Sequence, residues 1–416
     1  MVTWLVIADD LTGAIEAGAV AAAKGISCIV STDTQLDLLA LDDAIQLVVI
    51  DTESRHLPPA QAAARVEQVA QQSARAGITH LFKKTDSTLR GNIGAELHAL
   101  QQLNPTQTLW FVPAFPQAGR TTRGGVHFVN NEEVHRSSFA LDPRCPVRTS
   151  HIPTLLAQQT LLPSLSLTLS RAAAAPTLAP LIVLDCSTPQ ELNALAAWLF
   201  ETGNDRRSGG SVALLDALLE HHSCYHHPQP LTPLTRPLLL VNGSLHESSL
   251  TQLHWACSHG FAPQPLSPKQ LFDPSAHAGL INQATQTLHE QGALALFTVD
   301  NRMDAEGFVA AAAPWGVSPD RVHERCAEQM GLLVRGILDS LQSNGGCGLI
   351  VFGGDTTAAV LQALHCDKIQ PLAALQPGLA RATLPQRPDI PAIIVKAGGF
   401  GKAELIDEVV RKLKNP

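Results

Sequence analysis

Short apolar runs rich in β-branched residues recur along this chain, and longer stretches of helical period separate them. Such strands can bury both faces only if helices cover a mainly parallel sheet, so the alternation predicts an α/β architecture. In the first half the runs at 4–8, 26–30, 46–51, 80–84, 109–113 and 181–184 read as strands. The stretches 12–24, 59–76, 92–103 and 189–201 read as helices, the second opening on a proline suited to a first turn. Residues 116–176 mix glycines, arginines and prolines with weak periodicity and read as an insertion or lid beside the sheet. A break follows at 221–236, where HHSCYHHPQPLTPLTR separates two regular regions. The alternation then resumes, with strands at 238–241, 294–299, 349–352 and 392–396 and helices at 249–259, 280–290, 320–342, 356–365 and 402–414.

Single cores stop growing at about 250–300 residues, so a chain of 416 residues is expected to divide. The boundary is placed in the break, giving domains 1–228 and 229–416, each a mainly parallel sheet flanked by helices, with an interdomain cleft. A formal net charge of −8 argues against holding a polyphosphate backbone, so nucleic acid is not an expected partner. The opening MVTWLVIADD has no basic segment and meets Asp9 and Asp10 after a short apolar run. It is expected to be neither a signal sequence nor a membrane span, which points to the cytoplasm. Eight cysteines without a CxxC pair suit reduced thiols. The His221–His227 run lacks the spacing of a tetrahedral ligand set, and no metal ligands are assigned from sequence. Apolar helical faces can be core or contact between copies, so a homo-oligomer is compatible with the sequence.

The chemistry-bearing residues gather where predicted strands give way to helices, which is where open parallel sheets bind ligands. Asp9 and Asp10, in ADDLTG, could accept hydrogen bonds from sugar hydroxyls, and one could act as general base; the alternative is that one merely caps the next helix. The run KKTDSTLRGN offers Lys84, Thr85, Asp86, Ser87 and Arg90, a set able to clamp a carboxylate while ordering a polyol, with Arg55 on the same rim. The loop PAFPQAGR, followed by Arg123-Gly124-Gly125, suits an anion or serves only as structure. In the second half, Ser244 in VNGS, Gly353, Gly354, Asp355 and Thr356 in FGGDTT, and Gly398, Gly399 and Gly401 in KAGGFGK each follow a predicted strand. Three such turns can form a phosphate cradle of backbone N–H groups, although α/β folds need glycine turns in any case. Neither a GxxxxGK[ST] loop nor an ordered GxGxxG fingerprint is present.

Taken in order, IADDLTG, KKTDSTLRGNIGAEL, PAFPQAGR, VNGS, FGGDTT and KAGGFG resemble the four-carbon acid sugar kinase family over nearly the whole chain. The resemblance implies an N-terminal domain that binds the sugar acid, a C-terminal domain that binds ATP, and Mg2+. It further implies transfer of the γ-phosphoryl group to the terminal 4-hydroxyl of a tetronate, D-threonate first, with D-erythronate or a 3-oxo-tetronate as alternatives. On matching positions it implies substrate contacts at Asp9, Arg55 and Lys84–Ser87, and ATP contacts at Ser244, Gly354 and 398–401. Ala397 departs from the polar residue the family pattern carries before its last glycines, which removes one side-chain contact to phosphate. The catalytic roles then fall to Asp9 or Asp86, orienting and deprotonating the hydroxyl, and to Lys84 with Arg55, holding the carboxylate. Two readings from other classes are a lysine-dependent aldolase acting through Lys84 or Lys396, and a sugar-acid sensor without chemistry.

Overall fold

In the computed structural model, residues 2–142, 144–174, 179–222, 231, 233–234, 237–298, 305–342, 346–397 and 399–414 are described. The chain divides into two compact units, Met1–Pro228 and Gln229–Pro416. Gly398 and residues 223–230 lie outside the described residues.

The first unit is built around strand β1 (Trp4–Ala8), every residue of which is buried. An all-apolar strand of this kind needs neighbours on both edges and helices on both faces. It has β3 (Leu47–Asp51) on one edge and β4 (His80–Lys84) on the other, both parallel. With β2 (Cys28–Ser31), β5 (Leu109–Val112), β9 (Ser164–Leu167), β10 (Leu181–Leu184) and β11 (Arg207–Gly210), the order is β2-β3-β1-β4-β11-β5-β10-β9. All these pairings are parallel. Strands β6 (Arg120–Arg123), β7 (Val126–Val129) and β8 (Glu132–Glu133) form a separate antiparallel sheet. The expectation of an insertion over 116–176 therefore needs correction: part of it is this small sheet, but Ser164–Leu167 joins the main sheet as its edge.

The second unit repeats the principle with strands β12 (Leu238–Asn242), β13 (Ala262–Leu266), β14 (Ala293–Thr298), β15 (Gly348–Phe352), β16 (Lys368–Gln376), β17 (Leu379–Thr383) and β18 (Ile393–Lys396). Their order is β13-β14-β12-β15-β18-β17-β16, parallel except where β17 runs antiparallel to both its neighbours. The mixed α/β class expected from the alternation is the one observed.

In the two mainly parallel sheets, one edge strand and one central strand carry no run of apolar residues. Strand β13 reads APQPL, and a proline-bearing strand is tolerated here because it lies at the end of the sheet. Strand β11 reads RSGG and sits between β4 and β5, where the neighbouring backbones leave no room for side chains. A Cβ added at Gly210 would fall 2.0 Å from the Val112 carbonyl oxygen, and one at Gly209 would fall 3.2 Å from that of Lys83. Glycine is thus demanded by close approach, and hydropathy cannot reveal it. The Gly210 carbonyl also accepts the Thr85 N–H at 2.9 Å, so this strand fixes the start of the 85–91 turn. Gly210→Ala should lower the unfolding free energy by about 3 kcal/mol or more, read as a shifted urea midpoint.

Candidate active site

Parallel sheets open a crevice where successive connections leave in opposite directions. In the first unit the chain leaves β1 toward β2 and leaves β4 toward β5, on opposite sides, so the switch lies between β1 and β4. Ala8 is in register with Lys84 and with Asp51, which brings Asp9, Asp10 and the 84–90 turn to one place.

The centre of that place is a charge lattice. Arg55 donates from Nε and Nη2 to the Asp9 carboxylate at 2.8 and 3.1 Å, and from Nη1 and Nη2 to Asp10 at 2.7 Å each. A guanidinium has five N–H donors, so four are committed to these two aspartates. Arg55, for which sequence suggested direct contact with a carboxylate, thus has one N–H donor left beyond those given to Asp9 and Asp10. Asp10 also accepts the Gly13 N–H at 3.1 Å and caps the helix Leu11–Ala23, so the capping alternative holds for this residue. Burial alone would raise the Asp9 pKa, but the charges of Arg55, Lys83 and Lys84 reverse this and hold it below the ordinary carboxylate value.

Asp86 is enclosed in the same manner. It accepts Arg90 Nε at 2.8 Å, Arg90 Nη2 at 3.1 Å, the Arg90 N–H at 3.2 Å and the Thr88 hydroxyl. Despite burial, Arg90 and Arg55 hold it well below the ordinary range. Arg90 reaches on to Asp142 at 3.2 Å. Beneath the turn, buried Lys83 pairs with Glu96 at 3.0 Å, and Glu96 accepts the Ser54 hydroxyl, which ties β4 to the loop carrying Arg55.

Against these satisfied groups, three polar atoms stand out. Lys84 is 5% exposed, and its ammonium has no hydrogen-bond or ion-pair partner among the described residues. Its Nζ lies so close to the helix start that a Cβ on Gly13 would fall 2.6 Å from it. Thr85 Oγ1 and Asp51 Oδ2 are likewise buried without a hydrogen-bond partner. Buried polar atoms are rarely left unpaired, so such a group at a crevice marks a place for a polar anionic ligand. Ser87 is half-buried on the same turn. In the PAFPQAGR region the N–H groups of Gly124 and Gly125 are taken by Asp185 at 2.8 and 3.0 Å, so that glycine pair serves the hairpin.

In the second unit, Asn242, Phe352 and Lys396 end β12, β15 and β18 in one registered row. The switch lies between β12 and β15, and the three glycine turns leave the sheet from this row. A Cβ on Gly243 would fall 2.0 Å from Thr356 Oγ1, and one on Gly353, whose φ is +100°, would fall 3.5 Å from the Ser244 N. A Cβ on Gly399 would meet the His246 ring at 3.3 Å, so VNGS, FGGDTT and the last glycine loop are within reach of one another. Gly354 opens the helix Gly354–Ala363, whose first turn holds exposed Asp355 and buried Thr356 and has no side-chain cap. Gly401, at φ +85°, packs on Leu405 and Gln252 and serves the loop's fold. Lys396 donates to Ser249 Oγ at 2.9 Å, and burial pushes its pKa down to about 7. This cradle of small residues and helix-start N–H groups fits a nucleotide phosphate.

Residues 4–218 match the model of a sugar-binding N-terminal domain, and residues 239–406 match that of a nucleotide-binding C-terminal domain. The chain belongs to the four-carbon acid sugar kinase family. As a family member it is a phosphotransferase, which sets aside the aldolase and sensor readings. It is 30% identical to a D-threonate kinase of Bordetella bronchiseptica over 98% of this chain and 97% of that one. It is 29% identical to one from Salmonella typhimurium over 95% of each, and 27% identical to a D-erythronate kinase of Heliobacterium modesticaldum over 99% and 98%. A Salmonella typhimurium structure solved as a candidate tRNA synthase superposes with a TM-score of 0.81 at 20% identity, covering 99% of this chain and all of that one. A Haemophilus influenzae protein gives 0.75 at 21% with the same coverage. At those identities the two structures show the fold alone. Among the described residues no helix of this kinase is long and apolar enough to cross a membrane.

Sequence reasoning passed over Asp51, Glu96 and His127. Asp51 was in plain view, since it ends β3 as Lys84 ends β4. Burial, with Glu53 and Asp10 nearby, raises its pKa well above the ordinary value. His127 had no local signal. It bonds Thr122 through Nδ1 at 3.0 Å and, through Nε2, the Ser87 carbonyl at 2.9 Å, which pins the 85–91 turn from the small sheet. Burial pushes it from 6.5 to about 4. Between those values the unfolded chain binds a proton that the folded kinase does not. Stability should therefore fall by roughly 3 kcal/mol as pH is lowered from about 6.5 to about 4, with no further loss from this group below that. Urea unfolding across that window should show the slope in the wild type, and His127→Gln should make it shallower by this group's share.

Proposed function

We propose that this kinase transfers the γ-phosphoryl group of ATP to the terminal 4-hydroxyl of D-threonate, with D-erythronate or a 3-oxo-tetronate as the alternative acceptors, in the cytoplasm. The observation that carries the reading is Lys84, a residue 5% exposed whose ammonium makes no hydrogen bond or ion pair among the described residues, on the same turn as orphaned Thr85 Oγ1. A short hydroxy acid presents one carboxylate and adjacent hydroxyls, which are what such a cation and hydroxyl would complete. The three D-threonate and D-erythronate kinases named above align with nearly the whole chain, which supports a four-carbon acceptor.

In this reading Lys84 holds the carboxylate, and Thr85 and Ser87 order the hydroxyls. Asp9 orients the attacking hydroxyl, because its two oxygens each accept one bond from Arg55 and keep lone pairs for another donor. Asp86, with its acceptor capacity taken by Arg90 and Thr88, positions the turn. Phosphoryl transfer has a loose transition state, so an orienting carboxylate of low basicity suffices. In the second unit the Ser244, Gly353–Thr356 and Gly399 turns receive the phosphates. Asp355, an exposed carboxylate in a helix's first turn, is the residue suited to hold Mg2+ there. When bound, Mg2+ offsets charge on the phosphate oxygens.

The test is coupled ADP release by the purified chain with ATP, Mg2+ and a panel of four-carbon acids. D-threonate should give the highest kcat/KM; a panel in which no four-carbon acid stimulates release would refute the reading. Lys84→Met should lower kcat/KM for the acid about a hundredfold or more, the loss of one charge-assisted contact of about 2.7 kcal/mol, with ATP affinity within about twofold of wild type. Gly243→Ala, placed against Thr356, should do the reverse, weakening ATP by at least about tenfold while leaving acid binding in place.

A further inference from the structure

At the opposite end of the first unit's sheet, three side chains far apart in sequence converge. His80 begins β4, Asp205 lies in the turn before β11, and His222 follows the helix Val212–Leu219. One ligand atom from each lies within 4.8 Å of the other two. Asp205 Oδ2 is 3.4 Å from His80 Nε2 and 3.1 Å from His222 Nε2. Ligands at zinc distances around a tetrahedron are separated by about 3.3 Å, so both edges have the dimensions of a metal site. The side chain of Asp205 is 3% exposed, and those of the two histidines are 14% and 19% exposed. Trp4 stacks on His80 at 4.6 Å, and Phe200 lies edge-on to His222 at 5.2 Å, so the cluster has apolar walls and an opening.

The ligand atoms are also held in place. Thr79 Oγ1 donates to the Thr3 carbonyl at 3.3 Å and stands 2.8 Å from His80 Nδ1, so the ring is held at one nitrogen while Nε2 turns to Asp205. His222 Nε2 bonds the same Asp205 oxygen at 3.1 Å, and the two rings stand with centroids 4.5 Å apart. One divalent ion would engage both imidazoles and the carboxylate at once, and an outer partner at the second ring nitrogen is the usual support of a metal-binding histidine.

We propose that His80, Asp205 and His222 form a binding site for a first-row divalent cation of the zinc class, with solvent completing the coordination. Two imidazoles and one carboxylate suit Zn2+, Co2+ or Ni2+ better than the hard, oxygen-seeking Mg2+. Strand β4 runs from His80 to Lys84, about 13 Å, so the site is removed from the crevice. Its effect is structural: it clamps the 204–206 turn and the end of the last helix of the unit to the start of β4.

The experiment uses the full chain without a polyhistidine tag, treated with chelator, dialysed, and titrated with Co2+ and Zn2+ in the absence of nucleotide and Mg2+. The wild type should take up one ion per chain, with Co2+ giving the visible absorption of a four- or five-coordinate site, and Zn2+ should raise the thermal midpoint. Asp205→Asn and, separately, His222→Gln should weaken that uptake by at least tenfold and abolish the midpoint shift, while kcat with Mg-ATP stays within twofold. Absence of uptake in the wild type overturns the proposal without recourse to variants. Equal uptake by wild type and a folded variant, as judged by retained kinase activity, overturns it as well by placing the ion elsewhere.

Discussion

Everything at the crevice of the first unit depends on the Arg55 fork. Asp9 and Asp10 stand side by side at the end of a fully buried strand, and two adjacent carboxylates in that setting repel one another and resist desolvation. The guanidinium between them resolves both problems with four hydrogen bonds. It is held in turn from below: the Ser54 and Arg55 N–H groups donate to the Asp9 carbonyl at 3.0 and 3.1 Å, and Asn92 Nδ2 donates to the carbonyls of Ser54 and Leu57. Removing one member of such a set leaves its partner charged and buried, a penalty of several kcal/mol, so these residues are coupled and cannot be assigned separate energies.

Lys84 is the exception to that coupling. The neighbouring Lys83 is neutralised by Glu96, Arg90 by Asp86, and Arg55 by the two aspartates. Lys84 is the next residue on the same strand and points to the opposite face, beside the start of the first helix, where it makes no ion pair among the described residues although its charge lowers the Asp9 pKa. Its charge is balanced only through space, by Asp9, so its hydrogen-bond donors are open to an entering anion. If Lys84 holds the carboxylate, as proposed, the binding free energy of that group is concentrated on one residue set in a lattice of paired charges.

The second unit solves a different problem, and its sequence shows it. A triphosphate needs backbone donors and close approach more than countercharge from side chains, and the three turns accordingly carry glycines where the first unit carries acids and bases. Both groups of turns are visible in the sequence because each sits at a strand end that the apolar alternation reveals: Asp9 after WLVIA, Lys84 at the end of HLFKK, Gly353 after GLIVF. What sequence could not supply was the difference between residues that touch and residues that hold. Arg55, Asp10 and Lys84 look alike as charges on a rim, and only the hydrogen bonds show two of them occupied. Strand β11 and His127 escaped for a related reason. The identity of each is set by a neighbour distant along the chain, as when Gly210 yields to the Val112 carbonyl and His127 meets Ser87.

The same separation of holding from touching applies along the length of β4. Its last residue faces the substrate crevice, and its first, His80, faces the Asp205 and His222 cluster. Strand β4 lies between β1 and β11, and both ladders fix its register. That pairing holds the two ends in place at once, about 13 Å apart. The proposed cation site and the proposed substrate contact thus fall at opposite ends of one strand, an arrangement suited to a reactive rim carried on a rigid scaffold.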